Sequence, residues 1–95
     1  MIKPTPGRVV WFTPPADRAF WPPGFEYHDP KQPCSASVAY VWSDRMVNLS
    51  VLDQAGKAFN QTSVMLLQDD DLKPEAGRFA SWMPYQLGQA KKEGA

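Results

Sequence analysis

Ten prolines in a chain of 95 residues constrain the fold more than any other feature. An interior proline costs a helix about 3 kcal/mol, because it removes a main-chain donor and its ring collides with the preceding turn. Prolines spread in this way exclude a helical bundle. Six of the ten fall between Pro14 and Pro33, and they divide the chain into a short apolar run, a proline-rich excursion and a longer patterned remainder.

Met1 to Pro6 is an extended lead-in, since each proline holds its predecessor out of the helical region. Gly7 to Thr13, GRVVWFT, is β-branched and aromatic and ends at Pro14 and Pro15, which predicts a first strand. Between Pro14 and Pro33 the prolines alternate with Phe20, Trp21, Phe25 and Tyr27 and no period survives. Structureless connections of this length are usually functional or disordered. The aromatic content argues against disorder, so the pattern predicts an ordered loop lying against a sheet, with polyproline-like stretches at PPADR and WPPGF.

Ser35 to Asp53 alternates with period two. Ala36, Val38, Tyr40 and Trp42 share one face, and Ser37, Ala39, Val41 and Ser43 the other. Ser43 to Arg45 makes a tight polar connection into Met46 to Leu52, where Val47, Leu49 and Val51 point in and Asn48 and Ser50 point out. Asp53 to Lys57 is a turn with Gly56 in the left-handed position. Strand four is expected at Thr62 to Leu67, with a pairing or bulge around Phe59, before the charge run Asp69 to Asp71. Arg78 to Met83 makes a short fifth strand, Pro84 to Gln89 one turn of helix, and residues 90–95 a frayed tail.

One mainly β domain over residues 1–95 follows, with five strands and a long proline and aromatic loop after the first. Its expected form is a small SH3-like barrel or a strongly twisted antiparallel sheet, and an OB-like barrel gives a similar string.

Ten basic residues balance ten acidic ones, so there is no bulk nucleic-acid footprint. The single cysteine, Cys34, excludes an intramolecular disulfide and is expected to be a small buried residue in a reducing cytosol. No run approaches the length of a spanning helix and no apolar leader precedes Pro4, so the expected place is the cytoplasm.

Catalytic motifs are missing. There is no GxSxG, Walker A loop, GxGxxG, HExxH or paired CxxC. His28 in EYHDP has no second histidine to complete a metal site. Asp69 to Asp71 with Glu75 lack the glycine and distal glutamate of an EF-hand loop. A non-enzymatic protein without cofactor or metal is the expectation. Binding candidates are the loop aromatics Phe20, Trp21, Phe25 and Tyr27, joined by Trp82 and Tyr85, with Arg18 and Arg45 at the rim, since aromatic and arginine side chains dominate interface energetics. The same rings are also suited to sealing an open face of a small barrel. A second reading is a nucleic-acid-binding barrel that uses Arg8, Arg78, Lys91 and Lys92 with exposed aromatics. A third is a homo-oligomer built through the edge of strand one or strand five.

The phrases IKPTPGRVVWF, VAYVWSDRMVNLSV, SVMLLQDDD and WMPYQLGQAKK resemble those of small uncharacterised proteins of tailed phages and prophages of proteobacteria. The resemblance spans the first strand and residues 36–92, and Pro14 to Pro33 takes no part in it. It implies a phage accessory protein in the bacterial host cytoplasm or associated with the virion, with a protein partner from host or phage, and it transfers no catalytic residue.

Overall fold

The β-branched run after the lead-in forms β1, Val9–Thr13, in a computed structural model that describes residues 1–92. β1 starts later than the Gly7 to Thr13 pattern suggests, because Gly7 sits at a φ of 91°, a turn conformation that glycine adopts without steric cost. The other strands are β2, Cys34–Ser43, β3, Met46–Leu52, β4, Ala58–Leu67, and β5, Phe79–Ser81. They close on themselves in chain order. β1 is antiparallel to both β2 and β5, while β4 and β5 run parallel. The result is a closed five-stranded barrel of the SH3-like kind, and an open twisted sheet is excluded.

Closure decides where edges lie. β1 is flanked by β2 and β5, and β5 by β1 and β4. Neither has the free edge expected for a strand-mediated oligomer, because each is needed to complete the barrel.

The interior is filled by one face of each strand: Val10 and Phe12, Ala36 and Val38, Val47, Leu49 and Val51, Val64 and Leu66, and Ala80. Each large side chain fully buried in this way contributes about 1.5–3 kcal/mol. At the end of the β3–β4 turn the long loop inserts Phe25, whose ring meets Phe59 edge-on at 5.2 Å. At the opposite end Trp82, just beyond β5, is buried over the core. The loop is ordered against the barrel as its aromatic content predicts: a 3-10 turn spans Arg18–Phe20, and Trp21 stands edge-on to both Phe25 and Tyr27.

Two buried polar side chains act as clasps, one at each end. Gln68 accepts from the Ile2 amide and the Trp82 indole and donates to the Ile2 and Asp44 carbonyls, at 2.7–3.2 Å. Asp53 accepts the main-chain amides of Glu26, Ala55 and Lys57 at 2.8–3.0 Å. Burial alone would raise the Asp53 carboxyl, but these amides and that of Gly56 outweigh it and hold the group below the usual carboxylate range. Gln54 completes the joint, accepting from His28 and Asp29 amides and donating to Asp29 and Gln32 carbonyls.

Register breaks overturn part of the alternation. β2 slips against β3 between Val38 and Tyr40 and again between Val41 and Ser43. Each slip inserts an extra residue and re-aims the side chains beyond it. Ala36 and Val38 stay inside, Tyr40 and Trp42 turn out, and Val41 packs on the core instead. β4 is longer than the expected Thr62 to Leu67, beginning at Ala58; Phe59 pairs with Val51 as one of the two expected forms there, and the irregularity opposite Asn48 lies at Thr62 and Ser63. Ser63 has a φ of 53° there.

After β5 the helix α1 spans Pro84–Lys92 and does not stop at Gln89. Pro84 occupies the first helical position, and the Gln86 side chain accepts the Met83 amide at 2.8 Å, half of a capping box. Residues 93–95 of the expected tail lie outside the described residues. Among the described residues no helix is long and apolar enough to cross a membrane.

Candidate functional site

A cavity of about 490 Å³ lies between His28, Gln32, Cys34, Asp53 and Gln54. Asp53 and Gln54 are already used in holding the loop, since Asp53 accepts three main-chain amides and all four hydrogen-bonding positions of Gln54 are filled. The Cys34 thiol is pushed up to about 11, first by burial and then by the Asp53 carboxylate. A thiol so raised is a poor nucleophile at neutral pH. Among the described residues no three His, Cys, Asp or Glu side chains converge as metal ligands. The cavity is a structural joint.

The loop aromatics divide. Phe25 and Trp82 belong to the core and offer no face to a partner, because a small barrel needs both rings to close its ends. Trp21 and Tyr27, half-buried, line a cleft of about 370 Å³ together with Pro14, Pro15, Phe79 and Glu75. The Trp21 indole is already bonded to the Pro15 carbonyl at 2.7 Å. The Arg18 guanidinium lies 5.1 Å over the same ring. Burial raises the Tyr27 phenol, with smaller contributions from Cys34 and Asp29. Phe20 stands clear of the cleft at 74% exposure. Tyr85 is exposed on α1.

Arg45, Arg8 and Arg78 are dispersed. Arg45 is paired with Asp71 at 2.9 Å, and Asp71, which also takes the Gln68 amide, is held below the usual carboxylate range chiefly by that arginine. Arg8 lies 5.2 Å over Trp82. Arg78 donates to Gln61 and to the Thr62 carbonyl, each at 2.7 Å. Lys91 and Lys92 are in the last turn of α1. Arg18, Trp21 and Tyr27 are therefore brought together, while Arg8, Arg45, Arg78 and Tyr85 are not.

Sequence reasoning missed an exposed aromatic pair on the β2–β3 hairpin. Tyr40 is 51% and Trp42 60% exposed, and their rings meet at 4.7 Å and 70°, forming an open corner. The corner is fixed in place. The Trp42 indole donates to Asn48 Oδ1 at 3.0 Å, and the same oxygen accepts the Ser63 amide at 2.8 Å. Asn48 thus ties an exposed indole to the irregular turn of β4. A large aromatic face that is solvent-exposed yet held in one orientation binds without the ordering cost that a free side chain carries. A signal was present in the sequence, because the second face of strand two, with Ala39 and Val41, is itself largely apolar and leaves the inward face undecided.

No protein-family model, curated protein or solved structure matches this chain.

Proposed function

We propose that the protein is a phage-encoded accessory protein that acts without catalysis by binding another protein, whether a host factor, a host defence component or a virion component. The observation that carries this reading is the Tyr40–Trp42 corner, exposed in both rings and fixed through Asn48. Tryptophan and tyrosine are the side chains most enriched among the few residues that dominate interface affinity. Phe20 and the Arg18 rim of the loop cleft form a second, smaller contact. The phage-like phrases and the missing catalytic motifs favour the same reading.

The test is affinity capture from infected and uninfected host lysates, with a photoreactive residue at Tyr40 to report direct contact. A specific partner that cross-links at position 40, is lost by Trp42→Ala and is only weakened by Phe20→Ala is the expected result. A partner retained in full by Trp42→Ala, or none above background, sinks the proposal.

A further inference from the structure

Half of β2 and half of β4 have a ladder partner on one side only, and the barrel treats them differently. β1 stops pairing with β2 near Val38, so the second half of β2 has only β3 beside it. The lead-in covers that edge. Gly7 donates to the Val38 carbonyl, and Ile2 shares the Gln68 amide with Asp44 at the far end of β2. Pro4 is buried between them, and prolines on an edge block further pairing.

The other half-strand is the first part of β4. β5 pairs with β4 only at Leu66 and Leu67, and β3 takes the opposite side. In an antiparallel ladder, alternate residues direct both main-chain groups to one neighbour. Asp53 donates to the Lys57 carbonyl, which starts the β3 ladder and assigns Phe59 and Gln61 to β3. Ala58, Asn60 and Thr62 then face away. Thr62 confirms the phase, since its carbonyl takes the Arg78 guanidinium. Among the described residues Ala58 and Asn60 have no such partner, and both are exposed.

Edges of this kind are normally guarded by charge or proline. Ala58 to Ser63, AFNQTS, carries neither. The charges sit at its two ends, both positive. The Lys57 ammonium lies 5.4 Å over the Phe59 ring, Arg78 holds the Thr62 end, and neither is in an ion pair among the described residues. Main-chain donors and acceptors at strand spacing match another strand and nothing else of comparable size. A second copy paired across a two-fold axis would set Lys57 against the other copy's Arg78, and like charges opposed across a ladder are destabilising.

We infer that the open edge of β4 at Ala58 to Thr62 accepts an extended protein segment as an added strand, with an uncharged centre and acidic side chains at both ends. Lys57 and Arg78 receive those carboxylates at the two ends of a segment of five residues, about 17 Å of strand backbone. This surface shares no residue with the Tyr40–Trp42 corner and ends one residue from Ser63, which Asn48 links to the Trp42 indole.

The test selects a random decapeptide display library against the full chain and follows the winning peptides by amide hydrogen exchange. Enriched peptides should carry Asp or Glu near both ends and no proline in the centre, and should slow exchange at Ala58 and Asn60. Asn60→Pro removes an outward amide and spares the β3 ladder, and it should weaken binding about tenfold or more. Lys57→Glu, which changes a side chain and keeps the main-chain bond from Asp53, should abolish the acidic preference at the Lys57 end whether or not the proline variant folds well. Failure to enrich any peptide, winners that are proline-rich or basic at their ends, or affinity unchanged in Lys57→Glu would each overturn the inference. Slowing of the same two amides with rising protein concentration and no peptide would assign the edge to a second copy and overturn it equally.

Discussion

The loop between β1 and β2 and the hairpin of β2 and β3 both present large aromatic side chains, and they spend them in opposite directions. The loop has almost no regular structure, yet Phe25 enters the core while Trp21 and Tyr27 pack against it. The hairpin has the clearest alternation in the chain, yet Tyr40 and Trp42 face solvent. Regularity predicts that residues alternate, and it does not say where the phase is reset. A barrel this small has ends that strands cannot close, so its loops supply core. Its long bent strands need bulges, so they supply surface.

The contrast is broken or sharpened most strongly by paired truncations. Phe25→Ala should lower stability by about 3–5 kcal/mol, as for other buried phenylalanines. Trp42→Ala, at an exposed site, should lower it by less than about 1 kcal/mol. Urea unfolding of both variants measures the difference, and equal losses would remove the division between inward loop and outward hairpin.

Next in size is the reactivity of Cys34 beneath the loop. A thiol raised from 9.0 to about 11 has about a hundredfold less thiolate at pH 8 than an unperturbed one, at tenfold per pKa unit. Alkylation of the folded protein should be slowed at least to that extent and recover in urea. Rapid labelling under native conditions would mean that the loop does not cover β2 as described.

A smaller effect is expected from Asn48→Ala. Stability should fall by about 1 kcal/mol, the usual worth of a lost hydrogen bond, while the Trp42 indole proton exchanges faster and partner capture weakens. Unchanged indole exchange would show that the corner is not held by Asn48.

The acid response is the most gradual. Asp53 and Asp71 both titrate below their unfolded value of 3.8. A carboxyl lowered by folding stabilises the native state above its unfolded pKa, and that contribution is lost as pH falls through the folded value. Stability should therefore be flat from neutral pH to about 5 and decline below 4, and Asp53→Asn should flatten the decline. A variant with an unaltered acid limb would show that the loop joint does not depend on ionised Asp53.

Much of the barrel was legible because its strands are β-branched runs bounded by proline, glycine and charge. GRVVWFT, the Ser35 to Leu52 hairpin and RFASWM each fall on a strand. The ordered loop was legible from its rings. What the pattern could not carry was any feature set by one inserted residue or one distant partner. The slip after Val38 changes no local preference, since both faces of strand two are apolar enough to be buried. Phe25 and Trp82 read as contact residues because an aromatic ring in a loop looks the same whether it caps a core or meets a partner. Asp53 and Gln68 carried no signal, as the amides they satisfy belong to segments tens of residues away.

Gln68 also governs how the molecule comes apart. Its one carboxamide joins the lead-in at Ile2, the β2–β3 turn at Asp44 and the end of the barrel at Trp82. None of these three can leave without unsettling a group shared by the other two. The lead-in, a segment of the sort that ordinarily frays first, should open with the same free energy as β5, as one cooperative unit in hydrogen exchange.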